Sequence, residues 1–146
     1  LSSYADTSFL VSLYGRDVNS RAAILLVQKE RPTFVVTPFG EAEFINIVFA
    51  VTARPKGWTA GEARTIEQDF VQDLELGVWE REDLPAQTWQ RARELSRRHA
   101  PALGTRTLDT IHVASALLLG AEDFFTFDRD QTRLARAAGL RVLGYR

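Results

Sequence analysis

The sequence contains no cysteine and no methionine. Without cysteine there is no disulfide, no thiolate-bound zinc and no thiol nucleophile. That fits a reducing compartment, and a cytoplasmic location is expected. Lacking even an initiator methionine, the chain is expected to be trimmed or alternatively started. Lysine is nearly absent, with only Lys29 and Lys56. No window is apolar over the roughly 20 residues that a membrane helix needs. Leu1–Asp6 lacks the basic and then apolar stretch of a signal peptide, so no membrane partner is expected. No glycine-rich loop follows the first predicted strand, which argues against a dinucleotide-binding fold. The net charge of −1 does not advertise a nucleic-acid partner, so any such site must be local.

What is present suits one domain spanning residues 1–146, with 45% hydrophobic residues to build a core. Extended Ser3–Ala5 leads to Asp6, and a short helix is predicted over Thr7–Tyr14. A second helix is predicted over Ser20–Lys29 with Ser20 as its N-cap, then a β-branched and aromatic strand at Thr33–Val36. Pro38 opens a helix to about Ala53, on which Phe44, Ile45, Ile47, Val48 and Val51 recur at helical spacing. Thr59 and Glu62 form a capping box for a helix to about Leu74. Then come a short strand at Val78–Glu80, an arginine-rich helix at Pro85–His99 and a loop at Pro101–Thr105. An apolar helix over Thr107–Leu119 stops at Gly120, and a strand follows at Asp123–Thr126. A helix over Asp128–Ala138 ends at Gly139, before a last strand at Arg141–Leu143. Alternating strands and helices predict an α/β fold whose parallel sheet is covered on both faces. Such sheets bind ligands beyond the carboxyl ends of their strands, where the strand order reverses.

Four acids fall where that rule directs attention. Asp6 ends the first predicted strand, and Asp128 follows the fourth. Asp109 lies in the first turn of an otherwise apolar helix. Glu43 shares a helical face with Ile47, Ala50 and Val51, an unusual place for an unpaired carboxylate. Each has an ordinary explanation taken singly. Asp6 and Asp128 can be N-caps, Asp109 can complement a helix dipole, and Glu43 can pair with a buried arginine. Taken together, one doubly wound sheet would gather all four. Two carboxylates ~5 Å apart at an effective dielectric of ~20 repel by about 3 kcal/mol. With no lysine near these segments, a hard divalent cation, Mg²⁺ or Mn²⁺, is the simplest counter-charge.

The segments carrying these acids resemble a known family. Tyr4-Ala-Asp-Thr-Ser-Phe-Leu10 resembles the opening motif of PIN domains, and Thr37-Pro-Phe-Gly-Glu-Ala-Glu-Phe-Ile-Asn46 the second, with Glu43 in the acidic position. Leu108-Asp-Thr-Ile-His-Val-Ala-Ser-Ala-Leu117 resembles the third and Phe125-Thr-Phe-Asp-Arg-Asp130 the fourth, while Gly139-Leu-Arg-Val142 matches the closing strand. The likeness covers essentially the whole chain, which resembles toxins of the VapC type. It implies a three-layer α/β/α fold with a five-stranded parallel sheet in the order 3-2-1-4-5. It also implies a Mg²⁺- or Mn²⁺-dependent endoribonuclease, with Asp6, Glu43, Asp109 and Asp128 as catalytic metal ligands. Cleavage by activated water would leave 5′-phosphate and 3′-hydroxyl ends. A small antitoxin and a homodimer are the implied partners beside the RNA substrate. The rival expectations are an RNA-processing nuclease without an antitoxin, a metal-dependent phosphatase acting on small substrates, and a non-catalytic RNA- or protein-binding module.

Several further residues have two readings. Ser8 and Thr126 can orient carboxylates, or else cap a helix and pack a strand. Asp130 can assist or replace Asp128, and Glu41 competes with Glu43, although only Glu43 fits the spacing from Thr37. His112 reads as a hydrogen-bonded core histidine in preference to a base, and His99 as a partner for the carboxyl end of its helix. Arg91, Arg93, Arg97, Arg98 and Arg106 can meet phosphate or form a solvated face. Trp58, Trp79 and Trp89 read as core or interface packing residues rather than base-stacking ones. Phe9, Leu10, Leu13 and Tyr14 leave apolar surface for a subunit or an antitoxin.

Overall fold

The computed structural model describes residues 2–145. Leu1 and Arg146, the ends of the expected domain, lie outside the described residues. Five strands, β1 (Ser2–Ala5), β2 (Thr33–Val36), β3 (Glu80–Arg81), β4 (Asp123–Thr126) and β5 (Arg141–Gly144), form one sheet in the order β3-β2-β1-β4-β5. All four pairings are parallel. The helices are α1 (Thr7–Tyr14), α2 (Ser20–Glu30), α3 (Pro38–Val51), α4 (Ala60–Glu75), α5 (Thr88–Leu103), α6 (Thr107–Leu118) and α7 (Arg129–Ala137). The α/β class and the strand order are those expected.

Strand alternation sends consecutive side chains to opposite faces, and two neighbouring pairs show it. Phe125 joins the core under α1 to α4, while its neighbour Phe124 joins the core under α5 to α7. Ala5 and Tyr4 divide in the same way. On the first face Phe9, Phe34 and Phe125 meet edge to face, with centroids 5.0–5.9 Å apart, and Phe44 stacks on Phe70 at 3.9 Å. The central strand β1 has β2 on one side and β4 on the other, so the order reverses there. Asp6, just past its carboxyl end, therefore stands at the switch point.

Several expected boundaries change. Ser20 is the first residue of α2, not its cap. Its hydroxyl donates to the Gly15 carbonyl and accepts from the Asp17 amide, so it closes the preceding turn. The third strand is Glu80–Arg81 and not Val78–Glu80, because Trp79 turns into the core and only Val35 and Val36 are left to pair with it. Helix α5 starts at Thr88, since the Thr88 amide closes a turn on the Pro85 carbonyl. It also runs through Pro101, expected in a loop, as far as Leu103. Proline φ suits a helix, and the one hydrogen bond it forfeits lies in the last turn. Gly104, at φ 63°, then caps the end.

The apolar surface expected on the first helices is mostly consumed. Phe9 and Leu10 are buried, and Leu13 and Tyr14 pack against the same core. The exposed apolar residues nearby are instead Val18, Ile24 and Leu25. Trp58 and Trp79 are core residues whose indole N–H groups donate to the Val48 carbonyl and the Tyr14 hydroxyl. Trp89 is not a core residue: it is 52% exposed, which leaves only the interface half of the packing role expected of it.

Candidate metal and phosphodiester site

Asp6, Glu43, Asp109 and Asp128 line one cavity of about 380 Å³, together with Ser8, Arg106 and His112. Four separate segments bring them there. Asp6 leaves β1 as the N-cap of α1, and Glu43 projects from the second turn of α3. Asp109 sits in the first turn of α6, and Asp128 caps α7 just beyond β4. The ordinary reading of two of them is thus correct, because both aspartates cap helices. A cap uses only part of a carboxylate. Asp128 Oδ1 accepts from the Gln131 amide at 2.7 Å, and Asp6 Oδ1 accepts from the Phe9 amide at 2.8 Å. The second oxygen of Asp128 has no hydrogen-bond donor among the described residues, and the residue lines the cavity.

Asp6 is the most tightly held. Its Oδ1 also accepts from Ser8 Oγ at 3.0 Å, and its Oδ2 accepts from the Thr126 hydroxyl. Burial pushes its carboxyl above the ordinary range, and these hydrogen bonds offset only part of that. Thr126 lies behind Asp6, fully buried, and its Oγ1 accepts from the Asp128 amide at 3.0 Å. One hydroxyl therefore spaces two of the acids.

Glu43 is held differently. Its Oε1 accepts from Thr7 Oγ1 at 2.6 Å and meets His112 Nε2 at 2.5 Å. His112 Nδ1 in turn shares a 2.7 Å hydrogen bond with the Tyr4 hydroxyl. A Tyr4 O–H donating to Nδ1 and an Nε2–H donating to Glu43 satisfy every partner, which assigns the tautomer from the network. Burial alone would raise the Glu43 carboxyl, but the hydrogen bonds from His112 and Thr7 hold it below its ordinary range. The buried arginine considered for Glu43 is thus a histidine. His112 is the buried, hydrogen-bonded residue expected, and it is also part of the cavity wall.

Asp109 is raised by burial first and then by the charge of Asp128, with Asp6 adding to it. Arg106, on the cavity wall, acts in the opposite direction. Gln131 is buried, and its amide donates to the Asp109 carbonyl at 3.3 Å, fixing the start of α6 against α7. Among the other residues singled out, Ser8 lines the cavity, whereas Asp130 is exposed, faces Arg129 at 3.3 Å and does not line it. Glu41 points away to Arg81 at 3.4 Å, because two residues along a helix turn a side chain by roughly 200°. Thr7 and Gln131 were missed as contributors to the site, and Arg106 and His112 were singled out without being tied to these acids. Their signal is spatial, through partners distant in sequence.

Among the described residues, no three Asp, Glu or His side chains converge closely enough to be a closed ligand set. The donor chemistry nevertheless fits Mg²⁺ or Mn²⁺. All four candidate ligands are hard carboxylates, two of them raised by burial and one also by its neighbour. Mg²⁺ in particular keeps several waters and takes one or two carboxylates directly, so a partly open set suits it.

The PIN-domain family model matches residues 3–137 of this chain, all but the two ends. The chain belongs to the PIN domain family. Solved structures agree on the PIN fold. The toxin VapC20 of Mycobacterium tuberculosis, described as cleaving the sarcin–ricin loop, is similar with a TM-score of 0.68 and 22% identity over 95% of this chain and 96% of its own. VapBC2 from Rickettsia felis, bound to a DNA fragment from its promoter, gives 0.65 and 15% identity over 100% of both chains. A toxin–antitoxin complex from Klebsiella pneumoniae gives 0.62 and 18% identity over 97% of this chain and 96% of that one. No curated protein sequence is significantly similar to this PIN domain. No helix among its described residues is long and apolar enough to cross a membrane.

Proposed function

We propose that this PIN domain is a Mg²⁺- or Mn²⁺-dependent endoribonuclease acting as the toxin of a toxin–antitoxin pair. One observation carries the reading: four acids from four separate segments line one cavity at the switch point of the sheet. Asp6, Glu43, Asp109 and Asp128, which line that cavity, would hold the cation. When bound, it supplies charge neutralisation for a phosphodiester and lowers the pKa of water. The protein's own groups do the positioning. Thr126 and Ser8 fix the Asp6 carboxylate, and His112 with Thr7 fixes that of Glu43. Arg106, also in the cavity lining, offers a cation to a bound phosphate. No thiol is available as a nucleophile, and the reading needs none, since water attacks.

The antitoxin enters the proposal through the similar toxin–antitoxin assemblies from R. felis and K. pneumoniae. The homodimer rests on the family resemblance alone. The test is cleavage of single-stranded and hairpin RNA by purified protein with Mg²⁺, with Mn²⁺ and with chelator. The expected result is metal-dependent internal cuts that leave 5′-phosphate ends. Intact RNA under every metal condition would contradict the nuclease reading. Cleavage without any adjoining antitoxin gene would contradict only the toxin role.

A further inference from the structure

Next to the acid cavity lies a second concavity of about 430 Å³ between α5 and α6. Trp89, Arg93 and Arg97 line it from α5 at positions i, i+4 and i+8, so they form one ridge. Thr107 lines this groove and the acid cavity alike, and Asp109 lies in the same helical turn. The two concavities therefore adjoin at the first turn of α6.

The chemistry of the ridge is unlike that of a solvated face. Trp89 is 52% exposed, while Trp58 and Trp79 are each 6% exposed and committed to the core. Arg91 pairs with Glu94 at 3.7 Å. Among the described residues, Arg93 and Arg97 have no acidic partner within ion-pair distance. An exposed indole beside two uncompensated guanidinium groups matches the two parts of a single-stranded nucleic acid, a base to stack and phosphates to pair. A second copy of this chain fits less well. A two-fold contact would set the arginine ridge against itself, with like charges facing.

We propose that this groove is an RNA-strand subsite, in which Trp89 stacks on a base flanking the cut position while Arg93 and Arg97 hold backbone phosphates. The inference deepens the nuclease reading and rests on it for the identity of the ligand. It also gives a net-acidic chain a local means of holding a polyanion beside an acidic cavity.

The test is binding of a fluorescently labelled oligoadenylate, followed by anisotropy without added divalent metal, together with quenching of intrinsic tryptophan emission. Wild type is expected to bind with quenching, since Trp89 is the exposed indole. Trp89→Ala should weaken binding by about 5- to 150-fold, the range for one stacked base, and Trp89→Phe should restore most of it. Arg93→Ala and Arg97→Ala should each reduce the slope of log affinity against log salt by about 0.7. No binding by wild type, or unchanged affinity and slope in all these variants, overturns the proposal. So does a shift of the variants toward monomer in sedimentation with RNA affinity unchanged, which would make the face a self-association surface. The arms separate this inference from the nuclease reading. Variant-sensitive binding by a protein that cuts no RNA upholds the groove and contradicts the nuclease. Cutting by wild type with variant-insensitive binding does the reverse.

Discussion

Thr126 Oγ1 donates to Asp6 Oδ2 across the β1–β4 pair, joining residues 120 positions apart in sequence. The same oxygen accepts from the Asp128 amide, so it sets the spacing of two candidate ligands. Thr126→Val keeps the shape and removes both bonds. Outer partners of a metal ligand typically matter 10–100-fold, and a loss of about that size in cleavage rate is expected, with the circular dichroism spectrum unchanged. Wild-type rates for Thr126→Val would show that Asp6 needs no such support.

Asp6→Asn is expected to abolish cleavage while the metal-free fold becomes no less stable at neutral pH. Asparagine still caps α1, and it removes a charge that burial disfavours. The sign follows from linkage. The folded-state pKa of Asp6 is raised above its ordinary 3.8, so folding takes up protons. The charge costs nothing below the ordinary value, and its cost grows as pH rises through the raised folded value. The stability of Asp6→Asn relative to wild type should therefore increase from pH ~4 upward and then level off. Chemical denaturation of both proteins across that range checks it, and a difference that shrinks with rising pH would contradict the burial argument.

The fold was largely legible because its cues are local. β-branched strands alternate with periodic helices, and the Thr59–Glu62 capping box forms as its spacing predicts. The four acids were legible as positions, since strand ends and first helical turns can be counted. Their supports were not. His112 matters because Tyr4 and Glu43, 108 and 69 residues away, reach its two nitrogens. Its sequence neighbours, Ile111 and Val113, announce only a buried helix. The exposure of Trp89 was not legible for a similar reason. Which face of α5 stays open depends on where α6 lies, and no periodicity in α5 alone reports that.

Metal should raise the thermal stability of wild type. A ligand at ~100 times its dissociation constant adds roughly 2.7 kcal/mol, and here it also relieves the repulsion between Asp109 and Asp128. Differential scanning calorimetry with Mg²⁺ and with Mn²⁺ checks this. The increment should be smaller in Asp109→Asn. An unchanged melting temperature with both ions would remove the main support for a metal site.

If an antitoxin exists, inhibition is expected to place a basic side chain, arginine by its bidentate geometry, into the acid cavity. The cavity offers four carboxylates against the single guanidinium of Arg106. Competition for the same oxygens means inhibition should weaken as Mg²⁺ rises. Changing each basic residue in the partner's carboxyl-terminal segment to alanine, and assaying the complex, tests it. Full inhibition by every such variant would rule out the plug.

The central claim is that the shared acid cavity cuts RNA with a divalent cation. Its most direct test compares wild type with Asp109→Asn on one labelled RNA in Mg²⁺, in Mn²⁺ and in chelator. The account predicts internal cleavage with 5′-phosphate ends by wild type in metal only, and a loss of at least about 100-fold in a folded Asp109→Asn, on the scale of removing a group that stabilises charge in the transition state. Cleavage by wild type that persists in chelator, or cleavage by Asp109→Asn at the wild-type rate, would contradict it.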